Sequence, residues 1–248
     1  MRLTLLGTGN AAGMPLYGCH CEYCVQALES KALRRTACSA QLDIDNRCYL
    51  VDAGQVNLTD HYPAGSLSSI FLTHFHPDHA QGLFHLRWGI GDKIPVYIPP
   101  DDQGCADLFK HPGLLDFKPK NPFAPFILDG LKVTPIPLMH SKSTHGYLFE
   151  QGGKTVAYLT DTKGLSTETA SFLRKHTINL MVIDCSFVPG SNRNGHNNLD
   201  DIFIIDQQTS PIQIVLTHIG HDLDIWLKQN PNQLPPHIIA GHDGMVLS

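Results

Sequence analysis

The sequence predicts an α+β fold, a four-layer αβ/βα sandwich. Short β-branched, apolar runs follow one another early in the chain, helical patterns mix with them later, and several of these runs end on a histidine or aspartate. Strands followed by strands and only then by helices suit two helix-covered sheets better than a doubly wound parallel sheet.

The elements read in order as follows. Met1-Arg2-Leu3-Thr4-Leu5-Leu6-Gly7 is a first strand at about 2–7, its apolar run too short for a signal peptide or a membrane span. The glycine-rich loop Gly7 to Gly13 lacks the G-x-G-x-x-G spacing and the lysine of a P-loop, so it reads as a tight turn allowing close backbone approach. A helix is expected near 22–35, strands at about 39–45, 48–52 and 68–73, a helix near 78–88, a strand at 95–98 and a helix at 101–110. The proline-rich stretch Pro112 to Pro125 reads as a surface loop. Strands follow at 132–138, 145–150 and 154–160, the last two joined by a Gly152-Gly153 hairpin turn. Helices near 166–176 (Ser166 or Thr167 as N-cap), 199–208 and 221–229 alternate with strands at 179–184 and 212–217. No internal repeat is visible, and residues 1–248 read as one domain.

Composition narrows the function. Hydrophobic content of 42% and charged content of 17% are globular values. A net charge of −5 with no block of Lys or Arg argues against gripping long nucleic acid through its phosphates. With no apolar run able to span a bilayer, no membrane partner and a cytoplasmic location are expected.

The chemistry concentrates in Thr73-His74-Phe75-His76-Pro77-Asp78-His79, directly after the apolar run Ser69-Ile70-Phe71-Leu72. Neutral imidazoles and a carboxylate are ligands for borderline divalent metals. The spacing suggests two metals, one fed by His74 and His76, the other by Asp78 and His79. With 15 histidines in the chain some clustering is expected by chance, but chance does not place H-x-H-x-D-H at a strand end.

H-x-H-x-D-H after an apolar strand resembles the signature of the metallo-β-lactamase superfamily. That family completes the motif with a distant His, a bridging Asp and a final His. His140 after Val133 to Met139, Asp161 after Val156 to Thr160, and His218 after Ile214 to Thr217 stand in that order. The resemblance implies His74, His76 and His140 on one metal and Asp78, His79 and His218 on the other, with Asp161 bridging. Asp52, in Leu50-Val51-Asp52-Ala53-Gly54, matches a family aspartate that orients metal-bound histidines, with a turn-initiating Asp as the competing reading. Two divalent metals are implied; His/Asp sites accept Zn²⁺, Mn²⁺, Fe²⁺ or Ni²⁺.

The seven cysteines divide. Cys38, Cys48, Cys105 and Cys185 sit in or beside apolar segments and read as small buried hydrophobes. Cys19, Cys21 and Cys24 form C-x-C-x-x-C, which in a reduced compartment is more often a metal site than a disulfide. A closed zinc site needs a fourth ligand. His20 lies between two of the cysteines and is poorly placed; His221, three residues after His218, is the better candidate. The pattern also resembles one branch of the superfamily, the phosphoribosyl 1,2-cyclic phosphate phosphodiesterases of the carbon–phosphorus lyase pathway, in which this zinc is structural.

That branch implies opening of 5-phospho-α-D-ribosyl 1,2-cyclic phosphate to α-D-ribose 1,5-bisphosphate, with metal-activated water attacking phosphorus in line. His196, in Gly195-His196-Asn197-Asn198, matches a G-H-N histidine expected to protonate the leaving sugar oxygen. The substrate, a small phosphorylated sugar, needs a basic cradle for its second phosphate. Lys142, two residues after His140, has the best claim; Arg193 is a further candidate, and Arg34-Arg35 read better as cations near a helix C-terminus. The alternatives are a ribonuclease Z-like tRNA-processing enzyme, whose basic arm has no counterpart between Asp161 and His218, and a non-catalytic metal-stabilised module, which would not need a full ligand set. A homodimer is the expected assembly.

Overall fold

The computed structural model describes residues 1–248 as two seven-stranded sheets packed face to face, with helices on both outer faces. In the first half run β1 (Arg2–Gly7), β2 (Ser39–Ile44), β3 (Arg47–Val51), β4 (Leu67–Phe71), β5 (Ile94–Ile98) and β6 (Leu115–Pro119). The second half contributes β7 (Phe126–Leu128), β8 (Leu131–Pro137), β9 (His145–Gln151), β10 (Lys154–Leu159), β11 (Leu180–Asp184), β12 (Ile214–Thr217), β13 (Ile238–Ala240) and β14 (Val246–Leu247). One sheet has the order β14-β1-β2-β3-β4-β5-β6, so the last strand returns to pair with the first; the other runs β13-β12-β11-β10-β9-β8-β7. The helices are α1 (Glu22–Glu29), α2 (Leu58–His61), α3 (Pro77–Ala80), α4 (Leu83–Leu86), α5 (Ala106–Lys110), α6 (Thr167–Leu173), α7 (Leu199–Thr209) and α8 (His221–Gln229).

Three apolar cores define the four layers. The inter-sheet core holds Leu3, Leu5, Tyr49, Phe71, Tyr147, Phe149, Tyr158, Val182 and Val215. Alternate residues of the same strands face outward: Leu50, Ile70 and Val96 pack against α2 to α5, and Leu148, Ala157, Ile183 and Leu216 against α6 to α8. This is the period-2 alternation of a strand serving two cores. At the centre of the inter-sheet core Phe71 meets Tyr49, Tyr97, Tyr147 and Phe149 at ring separations of 5.1–5.9 Å. No helix is long and apolar enough to cross a membrane.

Gly152 and Gly153 both take positive φ (58° and 76°), the requirement of a two-residue hairpin turn, and β9 pairs with β10 directly across them. Ser166 caps α6 through the Thr169 amide. Several boundaries differ from the sequence reading. The helix expected over 22–35 ends at Glu29 because Ser30 is extended and the Arg34 guanidinium takes the carbonyls of Ala27 and Leu28; a single 3₁₀ turn follows. The helix expected over 78–88 is two short ones, since the Gly82 amide donates to Ala53 and not to its own helix. The helix expected over 101–110 starts only at Ala106, because the Asp101 carboxylate accepts the Gln103 and Gly104 amides and holds a turn. The proline-rich stretch contains a strand: β6 ends on Pro119 at the edge of its sheet, where a proline costs no ladder bond, and β7 begins just past Pro125 at the edge of the other. The short strands β13 and β14 and the single-turn helix α2 were not expected.

Parallel strands β3 and β4 in one sheet and β10, β11 and β12 in the other end at the same rim. The residues just past those ends are Asp52, Thr73-His74, Asp161, Cys185-Ser186 and His218. Crevices at the carboxyl ends of parallel strands are where open α/β sheets place their ligands.

Candidate metal centre

Three of these turns use a conformation L-residues seldom adopt. Asp52, Asp161 and His218 have φ of 59°, 61° and 54°. Left-handed backbone at non-glycine residues costs free energy and concentrates at functional sites. Here it bends each chain sharply off its strand and turns the side chain into the crevice.

Two ligand-like groups result. His74, His76, His140 and Asp161 converge in one: His74 Nε2 and His140 Nε2 lie 2.8 and 3.0 Å from His76 Nδ1, and each lies 3.5 Å from Asp161 Oδ2. In the other, His79 Nε2 is 3.4 Å from Asp78 Oδ2 and 3.2 Å from Asp161 Oδ1, and His218 Nε2 is 3.5 and 3.4 Å from the same two atoms. Two ligands about 2.1 Å from one tetrahedral cation lie roughly 3.4 Å apart, so the 3.2–3.5 Å separations to the carboxylates match a shared ion. Asp161 offers Oδ2 to one group and Oδ1 to the other, the geometry of a bridge.

The donor set fits cations on two further counts. The Nε2 atoms of His79 and His218 are buried and make no hydrogen bond. Buried polar atoms are normally paired, so these two nitrogens point to a partner of another kind. Charge gives the second count. The side chains of Asp52, Asp78, Asp161 and Asp184 are 0, 15, 2 and 0% exposed, and none is paired with a lysine or arginine. Asp52, Asp78 and Asp161 face the two groups and Asp184 pairs with His196, so the cluster holds an excess of negative charge that divalent cations would offset. Burial works against the charge of His79, yet the carboxylates of Asp161 and Asp52 raise its imidazole well above its ordinary range. His74, more deeply desolvated than compensated, is pushed well below it. Metals would replace that proton charge.

The ring nitrogens facing away from the two groups are held as well. Asp52 accepts from His79 Nδ1 at 2.8 Å and from the Thr73 amide at 2.7 Å. Thr73 Oγ1 meets His74 Nδ1 at 3.0 Å, His140 Nδ1 donates to the Gly195 carbonyl at 3.0 Å, and Ser186 Oγ joins His218 Nδ1 (2.9 Å) to Asp184 (3.0 Å). Such contacts set the tautomer and aim of a metal-binding imidazole. Asp52 is a buried carboxylate at a left-handed turn, hydrogen-bonded to His79 and Thr73.

His196 stacks on His218 at 4.7 Å and lies 5.0 Å from His140. Burial opposes its charge, but Asp184 Oδ2 at 2.8 Å from Nδ1 outweighs it and raises the imidazole to about 8. Asp161, Asp184, His196 and His218 are close enough to form a third group. However, Asp184 is already committed to His196, Ser186 and the Thr162 amide. We therefore read it as the support of two histidines.

Cys19, Cys21, Cys24 and His221 form a separate cluster, with His221 Nε2 3.5 Å from the sulfurs of both Cys19 and Cys21. Three thiols and an imidazole suit a closed zinc site. The Cys24 amide and then His221 lower the Cys21 thiol to about 6, favouring the thiolate a metal requires. His20 is not in the cluster. Because α8 begins at His221 and the Gly220 backbone packs closely on Ser186, this site braces the turn carrying His218. We expect Cys21→Ser to lose about one zinc per chain and to melt at lower temperature, read by metal analysis and calorimetry, since a closed thiolate site adds its binding free energy to folding. Unchanged zinc in a His221→Ala variant would remove His221 from the ligand set.

The basic residues are redistributed relative to the sequence reading. Lys142 does not line the cleft of about 590 Å³ beside His140; Lys163 does, with Ser141, Asn194 and Gly195. Lys163 stands two residues after Asp161 as Lys142 does after His140. Arg193 lies over the Phe187 ring at 5.3 Å. Arg34 caps α1 as expected, but Arg35 is an internal tie, bonded to Asp224, Thr8 and the Gly241 carbonyl.

The family model for the β-lactamase superfamily domain matches residues 48–219, more than half of the chain. The chain belongs to the metallo-β-lactamase superfamily. Within it, the structure resembles a diphosphatase from the PhnP family (TM-score 0.84, 26% identity, 100% of this chain and 97% of that one). It shares its fold with Zn²⁺-bound PqqB from Methylobacterium extorquens (TM-score 0.79, 18% identity, 100% of both chains). The short form of human tRNase Z is also similar (TM-score 0.73, 19% identity, 100% and 99% of the two chains). In sequence, the chain is 29% identical to an octanoyltransferase from Porphyromonas gingivalis over 99% of its own length but only 51% of that protein's. The chain therefore spans about half the length of this relative. As a superfamily member it carries a His/Asp cluster suited to two metals and a cysteine–histidine cluster suited to one zinc.

Proposed function

We propose that this protein is a metal-dependent phosphodiesterase that opens 5-phospho-α-D-ribosyl 1,2-cyclic phosphate to α-D-ribose 1,5-bisphosphate. The observation that carries the reading is the pairing of His196 with Asp184 beside a cluster bridged by Asp161. It sets a charged proton donor next to a site for two cations. Likeness to a PhnP-family diphosphatase at 26% identity supports chemistry at phosphorus.

His74, His76 and His140 would hold one cation, Asp78, His79 and His218 the other, and Asp161 would span both. Two divalent cations supply Lewis-acid activation of water and neutralise phosphoryl oxygens. The remaining work falls to the chain. Asp52, Thr73 and Ser186 keep the imidazoles aimed. His196 delivers a proton to the leaving sugar oxygen, and Asp184 holds it in the charged form that can do so.

The octanoyltransferase relative, about half of whose length this chain spans, motivates a second reading, hydrolysis of an octanoyl thioester or ester. One panel decides between them: kcat/KM of the metal-loaded protein on the cyclic ribosyl phosphate, bis(p-nitrophenyl) phosphate, an octanoyl thioester and a β-lactam. The cyclic phosphate should lead by on the order of 10² or more, because a site matched to one transition state discriminates strongly. Preference for the octanoyl thioester would replace the first reading with the second.

A further inference from the structure

We propose that Lys163 is the receptor for a distal anionic group of the substrate. With Ser141 and Asn194 it would hold a second phosphate in the cleft beside His140 while the reacting phosphorus sits at the His/Asp cluster. The inference rests on the phosphoester reading above and adds a specificity-determining residue to it.

The cleft wall contains one cation, Lys163, and no carboxylate; Ser141 and Asn194 add polar side chains. Lys163 is also prepositioned. Its amide donates to the Met139 carbonyl at 2.9 Å, and the Met139 amide donates to Thr162 Oγ1 at 3.1 Å, tying the segment after Asp161 to the segment before His140. Its ammonium pairs with Asp201, which is itself fixed by the capping box of α7 with Asn198. An ammonium has three donors, so one bond to Asp201 leaves two for a ligand. Two further lining residues are also fixed to each other, because His140 Nδ1 donates to the Gly195 carbonyl.

Distance and charge agree with the role. Lys163 follows Asp161 by two residues, so its backbone lies within about 7 Å of the bridging residue's, and its side chain lines the cleft that His140 borders. The buried carboxylates offset most of the charge that two divalent cations and the charged His196 would bring, and the reacting phosphate would take up the rest, so a second phosphate needs a further cation. A lysine at the cleft wall supplies it as a point charge. The competing role is mechanical: Lys163 could serve only to anchor α7 through Asp201.

The test compares 5-phosphoribosyl 1,2-cyclic phosphate with ribose 1,2-cyclic phosphate, which lacks the distal phosphate, on metal-loaded wild type, Lys163→Ala and Lys163→Arg. Metal content and melting temperature are measured alongside. Losing charge-assisted hydrogen bonds should cut kcat/KM for the phosphorylated substrate roughly 10- to 100-fold, mainly through KM. The loss on the unphosphorylated substrate should be several-fold smaller, and Lys163→Arg should recover most of the difference. Equal losses on both substrates with a lowered melting temperature would leave Lys163 as an anchor of α7 and overturn the proposal, as would no loss on either. If the wild type hydrolyses neither substrate, the phosphoester reading fails by itself. Calorimetric titration of D-ribose 5-phosphate into wild type and Lys163→Ala then still decides whether Lys163 holds a sugar phosphate: weaker binding to the variant supports it, equal binding or none overturns it.

Discussion

Asp161→Ala should lose catalytic metal and lower turnover by on the order of 10³-fold or more, the equivalent of several kcal/mol of charge stabilisation. The reason is geometric. One carboxylate serves both groups, with Oδ2 3.5 Å from His74 and His140 and Oδ1 3.2–3.4 Å from His79 and His218. Removing it deletes a ligand from each site and a buried negative charge that the two cations would offset. Metal analysis after dialysis should show the loss, and added Mn²⁺ or Zn²⁺ should no longer raise the melting temperature, because a ligand stabilises only the state that binds it. An Asp161→Ala protein with wild-type turnover would end the two-metal reading. Zinc at the cysteine cluster should survive this change, since none of its four ligands belongs to the His/Asp groups.

His196→Ala should behave differently, retaining full metal and slowing hydrolysis of substrates with a poorly leaving sugar alkoxide by roughly 10²–10⁴-fold, the usual share of general acid catalysis. With bis(p-nitrophenyl) phosphate the loss should be much smaller, because nitrophenolate departs without a proton. The pH profile gives a second readout. Asp184 raises the imidazole to about 8, so the acid form is present at neutral pH and is lost as pH rises through that value. The wild-type rate on the alkoxide substrate should fall on the basic side, and that limb should disappear in the variant. An equal loss on both substrates would show instead that His196 positions the phosphate or the loop.

The differences between sequence and structure have identifiable causes. The H-x-H-x-D-H run was legible because four ligand-type residues crowd into one strand end. His140, Asp161 and His218 each follow an apolar run, and the structure brings all seven residues together. Asp184 and Ser186 went unremarked, because an aspartate closing a buried strand and a serine beyond it carry no local pattern. Their significance comes only from His196 and His218 folding onto them. Lys142 and Lys163 are indistinguishable by spacing from a ligand, and only the packing of two loops puts one of them in the cleft wall. The split of the expected 78–88 helix likewise depends on a long-range bond, from Gly82 to Ala53.

The sequence by itself determined the layer architecture, the superfamily's metal motif and the cysteine cluster, since strand alternation and ligand spacing are local properties of the chain. Tertiary structure alone decided three other things. It set which oxygen of Asp161 faces which group, through the left-handed turns at Asp52, Asp161 and His218. It set which carboxylates orient which imidazoles, and it picked His221 over His20 to meet the three cysteines. These depend on the approach of segments far apart in the chain, whose contacts form only when two sheets close on a common core and bring their strand ends to one rim.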